Sequence, residues 1–204
     1  MSSGLAWNER RYPVVSDLTR MVASRDAAAF AAGKELASKP GTEFQYNTGN
    51  TILIDRILAD EVGSRSHFRA FVRAELLDKI GISPLHMHFD RAGTWLGGVS
   101  ADTTAQDFAR LGLLYLRDGV WDGERILPEG WVQYSRTPSA ANPEYGAGWW
   151  VDRERPGAFY AIGTAGQVIA VAPEHDLTFV LLSTDSDASL TLSEAILDAF
   201  AARR

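Results

Sequence analysis

Ala158-Phe159-Tyr160-Ala161-Ile162, Gln167-Val168-Ile169-Ala170-Val171-Ala172 and Leu177-Thr178-Phe179-Val180-Leu181-Leu182-Ser183 are short runs rich in β-branched and aromatic residues. Gly163-Thr164-Ala165-Gly166 and Pro173-Glu174-His175-Asp176 separate them with turn chemistry, so the stretch predicts neighbouring antiparallel strands. Gly148-Trp149-Trp150-Val151 supplies a fourth strand ahead of them. Alternation along it sends Trp149 and Trp150 to opposite faces, one ring to the core and the other towards a cleft. After the meander, Thr191-x-x-Glu194 reads as a capping box opening a helix over Leu192–Ala202. Leu192, Ile196, Leu197 and Phe200 would form its inward face.

Upstream of Pro143 the period is helical. Asp17 and Asp26 are candidate caps for two short helices, the second ending at Gly33. Thr51–Val62 carries Ile52, Leu53, Ile54, Ile57, Leu58 and Val62 and closes at Gly63. Ser66 is the candidate cap of a helix with Phe68, Phe71, Val72, Leu76 and Ile80 inward, stopped by Gly81. Thr103-x-x-Gln106 or Thr104-x-x-Asp107 opens Ala105–Arg117. Pro128 suits the first turn of a helix through Ser135. The division is therefore 1–142, mainly helical, and 143–204, strands covered by a helix. Helices, then a sheet, then a helix on the sheet is the α+β arrangement.

The 204 residues are 46% hydrophobic and 23% charged, with a net charge of −6, which is a globular composition. Mild acidity without a Lys/Arg block argues against nucleic acid as a partner. The longest apolar runs fall far short of a membrane span. Cysteine is absent, which excludes disulfides, thiol nucleophiles and cysteine-held zinc but leaves the redox compartment open. The first ten residues lack the pattern of a secretory signal, so location is unknown, with cytoplasm the default expectation. Only Lys34, Lys39 and Lys79 could act as a catalytic lysine.

Two segments carry candidate chemistry. Phe44-Gln45-Tyr46-Asn47-Thr48-Gly49-Asn50 sits just ahead of an apolar helix. It reads either as a turn with capping asparagines or as a helix-start loop presenting the Tyr46 hydroxyl for proton relay. Gly163–Gly166 is a hairpin turn, or a strand edge where a substrate carbonyl approaches a backbone N–H. His86-x-His88-x-Asp90 matches the start of several metallohydrolase sites, but no further histidine follows at short range and it reads as a polar loop. No metal is expected. Gly-x-Ser-x-Gly, Gly-x-x-x-x-Gly-Lys and Gly-x-Gly-x-x-Gly are all missing, which removes the α/β-hydrolase elbow and the nucleotide cradles.

Read together, these segments resemble the serine β-lactamase-related hydrolases, above all the class C-type esterases and the 6-aminohexanoate-oligomer hydrolases. Ser2-Ser3-Gly4-Leu5 is similar to the family's S-G-L segment. Pro40-Gly41-Thr42-x-Phe44-x-Tyr46-Asn47-Thr48-Gly49-Asn50 is similar to its tyrosine box. Gly97-Gly98-Val99-Ser100-Ala101, followed by Ala105-x-Asp107-x-Ala109-Arg110-Leu111-Gly112, resembles its GG segment and the helix after it. Gly163–Gly166 falls where the family has Lys-Thr-Gly. The resemblance runs the whole length in the family's order and implies a β-lactamase/transpeptidase-like fold.

It also implies acyl-enzyme chemistry without a cofactor. Tyr46 would relay a proton, Thr164 N–H beside Gly163 would stabilise the oxyanion and Thr48 would line the substrate, with Trp150 a further lining candidate from its place on the strand. The family's nucleophile and base lie in an S-x-x-K helix, and the residues three before the lysines here are Ala31, Leu36 and Leu76. The expectation is a C-terminal portion of such a hydrolase, inactive alone, whose partner is a complementing N-terminal fragment. Once completed it would take a small ester or amide. A non-catalytic remnant binding a partner or ligand through the old cleft is the alternative. Ala161-Ile162-Gly163 in place of Lys-Thr-Gly removes a cation for the β-lactam carboxylate, which favours uncharged acyl groups.

Overall fold

A computed structural model describes residues 1–10, 15–83 and 85–202. The chain condenses into two units, Met1–Glu75 with Pro84–Thr103, and Leu76–Ser83 with Thr104–Arg204.

The first unit holds α1 (Asp17–Ala23), α2 (Ala27–Ala32), α3 (Thr48–Val62), α4 (Arg65–Val72) and the short ribbon β1 (His86–Met87) with β2 (Ala101–Asp102). Trp7, Leu18, Met21, Ala27, Ala28, Ala31 and Ile52 form one core. Ala59, Phe68 and Met87 form a second. Asp26 caps α2 and Gly33 ends it, as its sequence predicts. Other starts shift towards a better oxygen. Ser16 caps α1, because its hydroxyl and that of Thr19 exchange bonds with each other's backbone, while Asp17 accepts from Asn8 and Lys34. Asn47 caps α3, which starts at Thr48, three residues before Thr51, and Ser64 rather than Ser66 caps α4. Phe71 is 43% exposed rather than inward. Asp90, in the His-x-His-x-Asp run, accepts the buried N–H groups of Ala27 and Thr94.

The second unit is built on the antiparallel sheet β5 (Trp150–Val151), β6 (Phe159–Ile162), β7 (Val168–Ala172) and β8 (Leu177–Leu181), in that order. All five residues of the central strand β7 are buried. Between unit start and sheet come α5 (Ala105–Leu116), the two-residue strands β3 (Val120–Trp121) and β4 (Glu124–Arg125), and α6 (Trp131–Arg136). Thr104 caps α5, and its hydroxyl also donates to the buried carboxylate of Asp107, which pairs with Arg110 at 2.5 Å. Gly112 lies where α5 meets the sheet. A Cβ there would collide with the Thr178 hydroxyl and meet Ile169 at 3.1 Å, so only glycine permits that approach. Phe108, Leu111 and Tyr115 then pack with Trp149, Phe159, Ile169 and Val171.

The helix α7 (Ser186–Ala201) covers Ala158, Ala172 and Leu177 from Leu197. Its cap is Asp185, six residues before Thr191. Its inward face is carried by Ser189, Ser193 and Leu197, which are buried, whereas Leu192 is 50% exposed. Small serines at i and i+4 let the helix lie close to the strands. Pro128 precedes α6, which starts three residues later at Trp131, after Gly130 in the left-handed region.

The two leucines of α7 should therefore behave oppositely. Leu197→Ala should cost about 2–5 kcal/mol, as for a buried leucine, whereas Leu192→Ala should stay within about 0.5 kcal/mol. Equilibrium denaturation of both variants checks this, and equal costs would contradict the observed helix phase.

Candidate functional site

In the first unit the site elements converge on the start of α3. The first four N–H groups of any helix lack internal partners. Here Asn47 accepts from Asn50 N–H, and Thr48 N–H donates to Glu9 Oε2 at 3.0 Å. Glu9 also accepts from the Thr48 hydroxyl and the Trp7 indole. Thr48 is only 5% exposed, so its hydroxyl serves Glu9. The opening segment runs against the box: Ala6 N–H donates to Glu35 O, Gly41 N–H to Ser2 O, and Gln45 N–H to Met1 O, at 2.8, 2.8 and 2.9 Å. Gln45 Nε2 completes the tie on Trp7 O at 2.7 Å.

Tyr46 sits between these ties and remains 38% exposed. Burial, and then the Glu9 charge, raise its phenol above the usual value of 10, so it is a hydroxyl donor at neutral pH. Gly97-Gly98 presses on α3. A Cβ at Gly97 would meet Asp55 Oδ2 at 2.9 Å, and one at Gly98 would meet Thr48 Cγ2 at 3.0 Å. Asp55 is 6% exposed and accepts Gly97 N–H at 3.2 Å. Burial lifts its carboxyl from 3.8 to about 7, against the opposing pull of that hydrogen bond.

In the second unit the turn after β6 is closed by Gly163 N–H to Gln167 O at 2.7 Å and Gly166 N–H to Gly163 O at 3.1 Å. Ala165 N–H donates to Gln167 Oε1 at 3.2 Å. The N–H of the exposed Thr164 makes no hydrogen bond among the described residues, while its carbonyl accepts from Ser186 Oγ at 3.2 Å. Gly166 takes φ +93°, and a Cβ there would meet Asp185 O at 2.6 Å.

Trp149 is 5% exposed in the core. Trp150 stacks edge-on against Tyr145 at 4.9 Å and 86°. It lines a cleft of about 560 Å³ with Glu144, Asp152, Arg155 and Glu194. Beside it, burial and the 2.6 Å bond to Asp152 raise the Tyr160 phenol. Asp152 is held low, burial being outweighed by Tyr160, the N–H groups of Arg155 and Glu154, and the Arg155 charge. Among the described residues no His, Asp or Glu group is arranged to hold a metal ion, and no helix is long and apolar enough to cross a membrane.

Glu9 and Asp55 were not legible as site residues. Glu9 lies 39 residues from its partner, and Asp55 looks like a surface position of α3 until Gly97 covers it.

The α+β fold thus carries a tyrosine box at a helix start in the first unit and a glycine turn at a strand end in the second. The β-lactamase family model matches residues 1–203, and the chain belongs to that family. It is 31% identical over 160 residues to the 6-aminohexanoate-dimer hydrolase of Paenarthrobacter ureafaciens, a match covering 71% of this chain and 40% of that protein. A Bacillus anthracis structure assigned as a 6-aminohexanoate-dimer hydrolase superposes with TM-score 0.80 at 19% identity, over 98% of this chain and 58% of that one. A β-lactamase from Mycobacterium bovis gives 0.64 at 16% identity, over 93% and 75%. These structures share the β-lactamase/transpeptidase-like fold. The chain thus spans well under two thirds of the first two relatives' length.

Asp55 sets a pH dependence. With a native pKa of about 7 against an ordinary 3.8, the native state binds more protons than the unfolded one between those values. Its contribution to stability is therefore lost as pH rises from about 4 to 7, by up to about 1.4 kcal/mol per pH unit. Asp55→Asn should gain on the natural chain between pH 5 and pH 8 in guanidinium titrations. An equal difference at both pH values would show that Asp55 is ionised in the native state.

Proposed function

We propose that this chain carries the proton-relay and oxyanion elements of an esterase- or amidase-type acyl-enzyme hydrolase, with a nucleophile supplied from outside these 204 residues. The observation that carries the reading is the N–H of Thr164, an exposed residue, which has no partner among the described residues in a turn whose other N–H groups are bonded. Such a donor suits the charge that develops on a carbonyl oxygen during acyl transfer. Tyr46, hydroxyl-bearing and partly exposed, would hand its proton to the leaving group. Trp150 would bound the acyl chain. The name of that relative, a 6-aminohexanoate-dimer hydrolase, supports an amide bond between ω-amino acid units as the substrate class.

No serine in the 204 residues stands three before a lysine. The serine would come from an N-terminal fragment or segment. Among the described residues no strand pairs with the outer edge of β8, the last of the four-strand order, and such a segment would add a strand there, since an unpaired edge templates pairing. The lack of Ser-x-x-Lys also favours a second reading, a non-catalytic remnant that binds a ligand or partner.

The isolated chain should neither label with a fluorophosphonate nor turn over a short-chain chromogenic ester. Labelling with turnover would refute the proposal of an outside nucleophile. Joined to a segment bearing Ser-x-x-Lys from a relative, the chain should gain activity, and Tyr46→Phe should then reduce kcat about 10²–10⁴-fold with little change in Tm. A completed protein that folds but stays inert supports the remnant instead.

Size-exclusion chromatography tests the partner. The chain alone should self-associate, and the co-expressed segment should convert it to a discrete complex. A monomeric 22.3 kDa peak with a cooperative melt, unaltered by the segment, would remove the partner.

A further inference from the structure

The carboxylate of Glu9 joins two parts of the first unit that the sequence separates widely. Trp7 is 7% exposed within the core, so its indole N–H must find an acceptor inside the protein, and it finds Glu9. Thr48 is the first residue of α3, and both its N–H and its hydroxyl reach the same carboxylate. On the other side of Tyr46, Gln45 is bonded to Trp7 O and Met1 O. The phenol is thus carried on a loop tied at both ends to the opening segment, and Glu9 makes the tie nearer the helix.

The geometry points to Glu9 as a positioning residue for Tyr46: by holding Thr48 and the Trp7 indole together, its carboxylate fixes the loop that presents the phenol. It does not touch substrate in this scheme. Its negative charge adds to burial in keeping the phenol protonated, so the same residue that places Tyr46 also keeps it a proton donor. A merely structural cap would do the first and leave the second unchanged. The inference rests on the reading of Tyr46 as a proton-transfer group, but its test is read without turnover.

Glu9→Gln and Glu9→Ala would be compared with the natural chain by ultraviolet titration of the phenols. A Tyr46→Phe difference spectrum isolates Tyr46 from the other tyrosines. Amide hydrogen exchange would be followed over residues 45–50. The expected result is a downward shift of the Tyr46 titration in Glu9→Gln and about tenfold faster exchange at Thr48 in Glu9→Ala, the usual scale of a lost helix cap. Amides inside α3 should be unaffected. Should Glu9→Ala fail to fold, Thr48→Val removes one donor to the carboxylate, and faster exchange at residues 45–48 is again expected. An unmoved phenol titration together with unchanged Thr48 exchange would overturn the inference. Both readouts stand whatever Tyr46→Phe does to turnover, so a failure of the catalytic reading shows separately.

Discussion

The amides at the start of α3 must find acceptors, and how they do so organises the first unit. Asn47 supplies one from the chain itself, but the Thr48 amide is met by Glu9, which lies 39 residues away. Meeting that demand draws the opening segment alongside residues 35–45, buries Trp7, and leaves Tyr46 on a short loop between two fixed points. Gly97-Gly98 closes over the same helix because nothing larger would fit against Asp55 and Thr48. A buried carboxyl at Asp55 follows, with its proton retained near neutrality. The polar residues of the box thus hold one another before they hold any ligand.

The second unit obeys a different constraint. β7 is covered on both faces and bonded on both edges, so everything around it must pack closely. Gly112 brings α5 onto one face, and Ser189 and Ser193 bring α7 onto the other. The N–H groups of Gly163, Ala165 and Gly166 are engaged within the turn between β6 and β7, and that of Thr164 has no partner among the described residues.

Most of the fold was legible in local pattern. The four strands fall within the predicted runs, shorter by up to two residues at their ends, and α2 and α5 carry the caps expected of them. The errors were in starts and phases. Asp185, Ser16 and Ser64 out-competed the expected caps because each side-chain oxygen reaches an N–H three positions on, while Asn47 caps α3 as the turn reading had it. Hydrophobic spacing alone also placed Leu192 and Phe71 inward, when burial on α7 falls to serines that periodicity treats as polar. Of the proposed site residues, Tyr46 and Thr164 could be named from motif resemblance and Trp150 from strand alternation, but the acidic partners could not. Glu9 and Asp55 acquire their roles only from residues 39 and 42 positions away, and no window of sequence contains both ends.

The turn that presents Thr164 rests on the first residues of α7. Ser186 grips the Thr164 carbonyl, and Gly166 lies against the backbone of Asp185. The terminal helix therefore acts as a strut braced at its near end. Fraying from its far end, where thermal motion begins, must travel through four turns before it disturbs the peptide that Thr164 offers. A change at Asp185 or Ser186 would reach that peptide at once, although neither residue belongs to any motif. The mechanical root of the donor is thus a pair of surface residues at the foot of a helix.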